Sequence, residues 1–179
     1  MNLFGTAGIR GPVTEVTPAL ALTVGRAVAA RLDPEDGPVV IARDGRETGQ
    51  ALASAVEAGV TSGGLDVKRA GQLPTPALAF ASQGRYGIML TASHNPPTDN
   101  GIKLFADGTE YDRAAEQEIE GLVADGPPQA PHDQWGTSER IEPLETYRAH
   151  VTAYAEEFGA PLNDLRIAVD CGTGMAGLA

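Results

Sequence analysis

The run Thr91-Ala92-Ser93-His94-Asn95-Pro96 sets a hydroxyl, an imidazole and an amide on consecutive residues. Short apolar runs flank it, Tyr86-Gly87-Ile88-Met89-Leu90 before and Gly101-Ile102-Lys103-Leu104-Phe105 after, so it is a turn between two strands with Lys103 on the neighbouring segment. Most serines ahead of Asn-Pro only cap a turn. Loops at strand ends, however, are where α/β proteins place ligands. A phosphoryl group carried on Ser93 would need cations and backbone N–H groups around it. Arg10, Lys103 and the glycines at 5, 8 and 11 can supply them.

Arg10 lies in a second unusual run, Phe4-Gly5-Thr6-Ala7-Gly8-Ile9-Arg10-Gly11. It reads either as a flexible N-terminal arm or as a loop that wraps an anion, with Arg10 delivering a forked pair of donors. Arg43 and Arg46 flank Asp44 and form either an internal ion-pair network or a wall of the same pocket. Structural work is favoured for Asp44, and both roles stay open for Arg46. His94 can act as a base, orient Ser93 or bond a phosphate. Orientation is preferred, because a serine already carrying phosphate needs no activation. Asn95 suits a backbone brace better than a reactant, and Lys103 can assist proton transfer at a sugar hydroxyl. Gly172-Thr173-Gly174 is followed by no Gly-Lys-Ser or Gly-Lys-Thr element, so a nucleotide-binding P-loop is unsupported.

The elements that hold these residues alternate between strand and helix. Thr17-Pro18 starts a helix whose Leu20, Val24, Ala27, Val28 and Leu32 recur at helical spacing. Val39-Val40-Ile41-Ala42 is a strand buried on both faces. A second helix covers about 49–61 and ends at Gly63-Gly64, and 65–69 is the next strand. Leu73-Pro74-Thr75-Pro76 opens a third helix through Ala81. Strands follow at 88–90 and 102–105; their short connection excludes a crossover helix and makes that pair antiparallel. Asp107-Gly108-Thr109 is a turn, and Asp112 caps a helix containing Ile119 and Leu122. From Ala124 to Gln134 the chain is rich in Pro, Asp and Gly and reads as a linker or surface loop. A further helix carries Tyr147, Val151, Tyr154 and Phe158 as an apolar stripe, followed by a strand at 165–170 and a turn at Cys171-Gly172-Thr173-Gly174. The expected fold is a three-layer α/β/α domain with a mixed, mostly parallel sheet containing one antiparallel strand.

A chain of 179 residues with 42% hydrophobic residues can build one packed core, mainly of aliphatic residues since aromatics are only 5%. The net charge of -11 repels nucleic-acid phosphates and anionic lipid head groups, so neither is expected as a partner. The only lysines are Lys68 and Lys103. Such an acidic, lysine-poor surface matches salt-adapted proteins, and it gives a retained Lys103 reason to serve the site. Cys171 stands alone, which excludes an internal disulfide. The opening residues have no signal-peptide pattern and no run reaches membrane-spanning length, so a cytoplasmic location is expected.

Four segments together resemble the N-terminal part of the α-D-phosphohexomutase superfamily, which includes phosphomannomutase, phosphoglucomutase and phosphoglucosamine mutase. They are the 4–11 run, Thr91 to Pro96, Asn100-Gly101-Ile102-Lys103 and Val169-Asp170-Cys171-Gly172-Thr173-Gly174. The resemblance implies an enzyme that interconverts hexose 1-phosphates and hexose 6-phosphates through a phosphoserine at Ser93 and a bisphosphorylated sugar. Ser93, Lys103 and His94 are the expected catalytic residues. Arg10, Thr6, Arg46 and Asn95 are the expected phosphate or substrate contacts. The phosphate oxygen on Ser93 is expected to contact Mg²⁺, with hexose 1,6-bisphosphate as intermediate and activator. The family's carboxylate-rich metal loop, sugar-reading loop and phosphate-clamping loop do not occur here. The expected organisation is therefore a phosphoserine domain at 1–134, a helical connection at 135–162 and the start of a second domain at 163–179, inactive by itself. A non-catalytic phosphosugar- or anion-binding module is the alternative. A serine hydrolase is disfavoured by the missing Gly-x-Ser-x-Gly elbow, and an interaction protein would show a flat surface at Ser93 without convergent Arg10 and Lys103.

Overall fold

The structure is a computed structural model that describes residues 3–5, 7–159 and 165–179. Strands β1 (Ile9–Pro12), β2 (Val39–Arg43), β3 (Val67–Gln72), β4 (Tyr86–Leu90), β5 (Asp99–Ala106), β6 (Thr109–Glu110) and β7 (Ser138–Arg140) form one sheet. The order is β1-β5-β4-β2-β3-β7, with β6 paired to β5. β2 runs parallel to β3 and β4, and β3 parallel to β7. β5 opposes β1, β4 and β6, and is thus the single reversed strand.

Helices α1 (Pro18–Arg31), α2 (Gly49–Ser62), α3 (Thr75–Ala81), α4 (Arg113–Asp125) and α5 (Leu144–Phe158) cover the two faces. Alternation along the strands divides the core in two, because successive side chains point to opposite faces. Val39, Ile41, Ile88, Leu90, Ile102 and Leu104 join Val24 and Val28 of α1, Val56 and Val60 of α2 and Ile119 of α4. Val40, Ala42, Met89 and Phe105 pack with Ala77 and Leu78 of α3, flanked by Leu144 and Tyr147 of α5. This is the three-layer arrangement expected from the sequence.

Local signals act as written in the chain. Thr17 accepts a hydrogen bond from the Leu20 N–H and starts α1, with Pro18 in its first turn. Asp112 accepts from the Ala115 N–H and starts α4. Helices α1 and α2 meet backbone to backbone. A Cβ on Gly59 would lie 2.2 Å from the Leu22 carbonyl oxygen, and one on Gly25 2.5 Å from that of Val56.

Four expectations change. Residues 9–12, read as part of a loop or arm, form β1, held by the Ile9-to-Ile102 register with β5. The strand expected at 65–69 begins at Val67 and continues to Gln72, with a bulge opposite Ile41 and Ala42. Residues 165–170, expected as a strand, are exposed and pair with no strand among the described residues. The strand β7 lies in the stretch read as a helical connection.

Candidate active site

The turn between β4 and β5 is anchored at both ends and open at its tip. Thr91 and Ala92 are buried, while Ser93 and His94 are exposed. Thr91 N–H donates to the Gly101 carbonyl at 3.0 Å, and Asn95 N–H to that of Ala92 at 3.1 Å. A Cβ on Gly101 would stand 2.2 Å from the Thr91 carbonyl oxygen, so only glycine lets β5 approach the turn this closely. Ser93 has φ 55, in the left-handed region that L-residues seldom occupy. Its Oγ lies 3.4 Å from His94 Nδ1, at the long end of hydrogen-bond range. The Asn95 side-chain amide donates to Asp99 Oδ2 at 2.9 Å and braces the turn across its base.

Beneath the turn sits Arg46, on the loop between β2 and α2. Its Nε donates to Asp44 Oδ2 at 3.1 Å. Nη1 donates to the carbonyls of Pro96 at 2.7 Å and Asp99 at 2.9 Å. Nη2 donates to those of Ser93 at 3.0 Å and Asn95 at 2.8 Å. Asp44 also accepts from the Arg46 N–H at 3.0 Å and from Thr91 Oγ1 at 2.8 Å. Thr91 Oγ1 in turn accepts the Ser93 N–H at 3.1 Å. The ion pair is largely shielded, at 13% and 16% side-chain exposure, so its hydrogen bonds face little competition from water.

A cleft of about 480 Å³ opens at this point, lined by Arg46, Thr48, Ser93, His94, Asn95 and Thr173 among others. Four of the expected site residues, Ser93, His94, Asn95 and Arg46, thus share one cavity. Lys103 and Arg10 do not line it. They sit on the α3/α5 face of the sheet, since Ile9, Ile102 and Leu104 point into the opposite core. Lys103 Nζ pairs with Glu110 Oε1 at 2.5 Å. Glu110 lies opposite Phe105, so the ammonium is drawn away from the turn end of β5. Arg10 Nε is buried without a hydrogen-bond partner among the described residues. Thr6 lies outside the described residues.

Two contributors escaped the sequence reading. Thr91 was quoted within the run but given no task; its bond to Asp44 spans 47 positions and has no local signal. Glu110 was readable. Asp107 and Gly108 have φ 49 and 75, the two-residue hairpin turn that Asp-Gly favours, and this register brings Glu110 beside Lys103.

The phosphoglucomutase/phosphomannomutase α/β/α domain I family model matches residues 1–129. The chain belongs to that family. It is 41% identical over 186 residues to the phosphoglucosamine mutase of Mycobacterium ulcerans (strain Agy99), covering 98% of this chain and 41% of that protein. It is likewise 41% identical over 190 residues to the phosphoglucosamine mutase of Mycobacterium tuberculosis (strain ATCC 25618 / H37Rv), covering 99% and 42%. A phosphoglucomutase/phosphomannomutase family protein from Burkholderia thailandensis superposes with a TM-score of 0.76 at 28% identity, covering 85% of this chain and 35% of that one. The chain thus spans about two fifths of the length of these curated relatives. As a phosphoglucomutase/phosphomannomutase family member it raises the question of Mg²⁺. The described residues contain no group of three or more His, Cys, Asp or Glu side chains placed to hold a metal. They do not form a cation cage by themselves, and no described helix is long and apolar enough to cross a membrane.

Proposed function

We propose that this chain is the phosphoserine-bearing portion of a cytoplasmic phosphohexomutase, acting on 2-amino-hexose phosphates in the manner named for its mycobacterial relatives. Residues 1–134 would form the phosphoserine domain and 163–179 the opening of a second. The observation that carries the reading is the exposed Ser93 hydroxyl at the tip of a rigidly braced turn, facing a cleft large enough for a sugar phosphate.

The chemistry balances as two phosphoryl transfers. The bond between Ser93 Oγ and phosphorus breaks as a sugar hydroxyl oxygen bonds to phosphorus, and the proton which that hydroxyl loses ends on Ser93 Oγ. The resulting 1,6-bisphosphate reverses in the site, and its other phosphoryl group returns to Ser93 Oγ. Transfer of this kind depends on positioning and charge neutralisation more than on covalent machinery. Mg²⁺ bound at the phosphate would offset the charge on the transferring group. On this chain, His94 orients the serine. Lys103 is the proton carrier if it exchanges Glu110 for the phosphate, and Arg10 brings a donor set with an unspent Nε–H.

The test uses the protein comprising this chain and the length its relatives share. Incubation with a hexose 1,6-bisphosphate and Mg²⁺, followed by intact-mass and peptide analysis, is expected to place stoichiometric phosphate on Ser93. Ser93→Ala is expected to reduce turnover of glucosamine phosphate by at least 10³-fold with the fold retained. Substantial turnover by the purified variant defeats the reading. Sugar-phosphate binding without any phosphate on Ser93 favours an anion-binding module.

A further inference from the structure

Arginine has five N–H donors in a fixed fork. In Arg46 all five are committed: one to Asp44 Oδ2, two to the carbonyls of Pro96 and Asp99, and two to those of Ser93 and Asn95. None is left for a phosphate. We propose that Arg46 is a positioning residue, a clamp that sets the Ser93 backbone for phosphoryl transfer without touching the substrate. This rests on the reading of Ser93 as the phosphate carrier, and it reassigns Arg46 from phosphate contact to turn support.

The four carbonyls belong to both limbs of the turn, Ser93 and Asn95 on one and Pro96 and Asp99 on the other. One planar group therefore fixes the width of the turn and the direction of its carbonyls. A neutral side chain could not neutralise Asp44 while collecting four carbonyl dipoles, and a lysine has only three donors at one point. Asp44 completes the device: it holds Thr91 Oγ1, which holds the Ser93 N–H.

The clamp has a second effect. In a trans peptide the C=O and the following N–H point in opposite directions. With the Ser93 carbonyl drawn onto Nη2, the His94 N–H of the same peptide is turned away from Arg46. That N–H has no hydrogen-bond partner among the described residues. It is a backbone donor held ready for an oxygen of the phosphoryl group on Ser93, and Arg46 is what holds it there. Ser93, at φ 55, has its carbonyl bound by Arg46 and its N–H bound by Thr91 Oγ1.

Two measurements test the clamp. In the mutase comprising this chain, Arg46→Lys and Arg46→Ala are assayed well below their melting temperatures, with Arg140→Ala at an exposed ion pair as control. A misplaced serine is expected to lower kcat by about 10²-fold with KM within about twofold of the parent. Millimolar guanidinium is expected to restore kcat of Arg46→Ala at least tenfold, without raising its melting temperature. A risen KM with kcat kept would mean direct phosphate contact, and unchanged kinetics in folded variants would mean a purely structural arginine; either overturns the proposal. Independently of activity, amide exchange by NMR in the 179-residue chain is expected to show the Ser93 N–H exchanging at least tenfold faster in Arg46→Lys. Unchanged exchange also overturns the clamp. If instead the parent never acquires phosphate on Ser93 while the exchange result holds, the mutase reading fails and the clamp stands as a turn support only.

Discussion

Replacing Gly101 by alanine tests whether β5 really lies against the backbone of the serine turn. The new Cβ would stand 2.2 Å from the Thr91 carbonyl oxygen, 3.0 Å from the Thr91 carbonyl carbon and 3.1 Å from Ala92 Cα. All three are backbone atoms, so no side chain can swing away. Ordinary contact begins near 3.4 Å, so strand and turn must separate by about 1.2 Å. Thr91 and Ala92 are buried, and their neighbours leave little room to absorb that shift. Overpacking of this kind costs about 2–3 kcal/mol. Gly121→Ala is the matched control. Gly121 lies inside α4 with nothing within 4 Å of its added Cβ, and alanine there gains up to about 1 kcal/mol of helix propensity. The same chemical change thus carries opposite signs at two positions. Urea unfolding followed by circular dichroism reads both. With m near about 1.5 kcal/mol/M, Gly101→Ala should lower the midpoint by about 1.5 M and Gly121→Ala should raise it by about 0.5 M. Gly101→Ala within about 0.5 kcal/mol of the parent at unchanged m would refute the packing argument.

Asn100 is buried, donating to the Val16 carbonyl at 2.8 Å and accepting from Thr48 Oγ1 at 2.5 Å. Asn100→Ala orphans both partners and should cost about 1–3 kcal/mol, with Thr48→Val less than additive on top of it. Asp66 accepts from the Thr137 N–H and hydroxyl, and the backbone bond is the larger cause holding its carboxyl below the usual range. A depressed carboxyl pKa adds stability above its unfolded value near about 4 and loses it as pH falls through the folded value. Asp66→Asn should therefore flatten the acid limb below about pH 4; a limb as steep as the parent's would count against that bond.

What could be read from the sequence follows the reach of each interaction. Caps and periodicity are local, so Thr17, Asp112 and the apolar stripes of α1 and α2 place their helices closely. The reversed strand β5 was legible because its link to β4 is too short for a crossover. β1 was not: Gly8, Gly11 and Pro12 read as loop residues, and only pairing with a strand ninety positions away makes them a sheet edge. The three polar residues of β7 carry no strand pattern and are recruited by β3. Ser93, His94 and Asn95 line one cleft together because they are contiguous. The roles of Arg46 and Thr91 depend on partners 47 to 53 positions off, which no spacing rule encodes. Lys103 was legible as an outlier of composition, while its ion pair with Glu110 is a property of the hairpin register.

On the proposed reading of Ser93 as the phosphate carrier, its left-handed backbone puts folding and chemistry in opposition at a single position. Glycine would relax the torsional cost that any L-residue bears there, a gain on the order of 1 kcal/mol. Selection for thermal robustness alone would therefore drift toward glycine, which has no hydroxyl to phosphorylate. If Ser93 carries the phosphoryl group as proposed, Ser93→Gly is expected to give a heat-tolerant but inert protein.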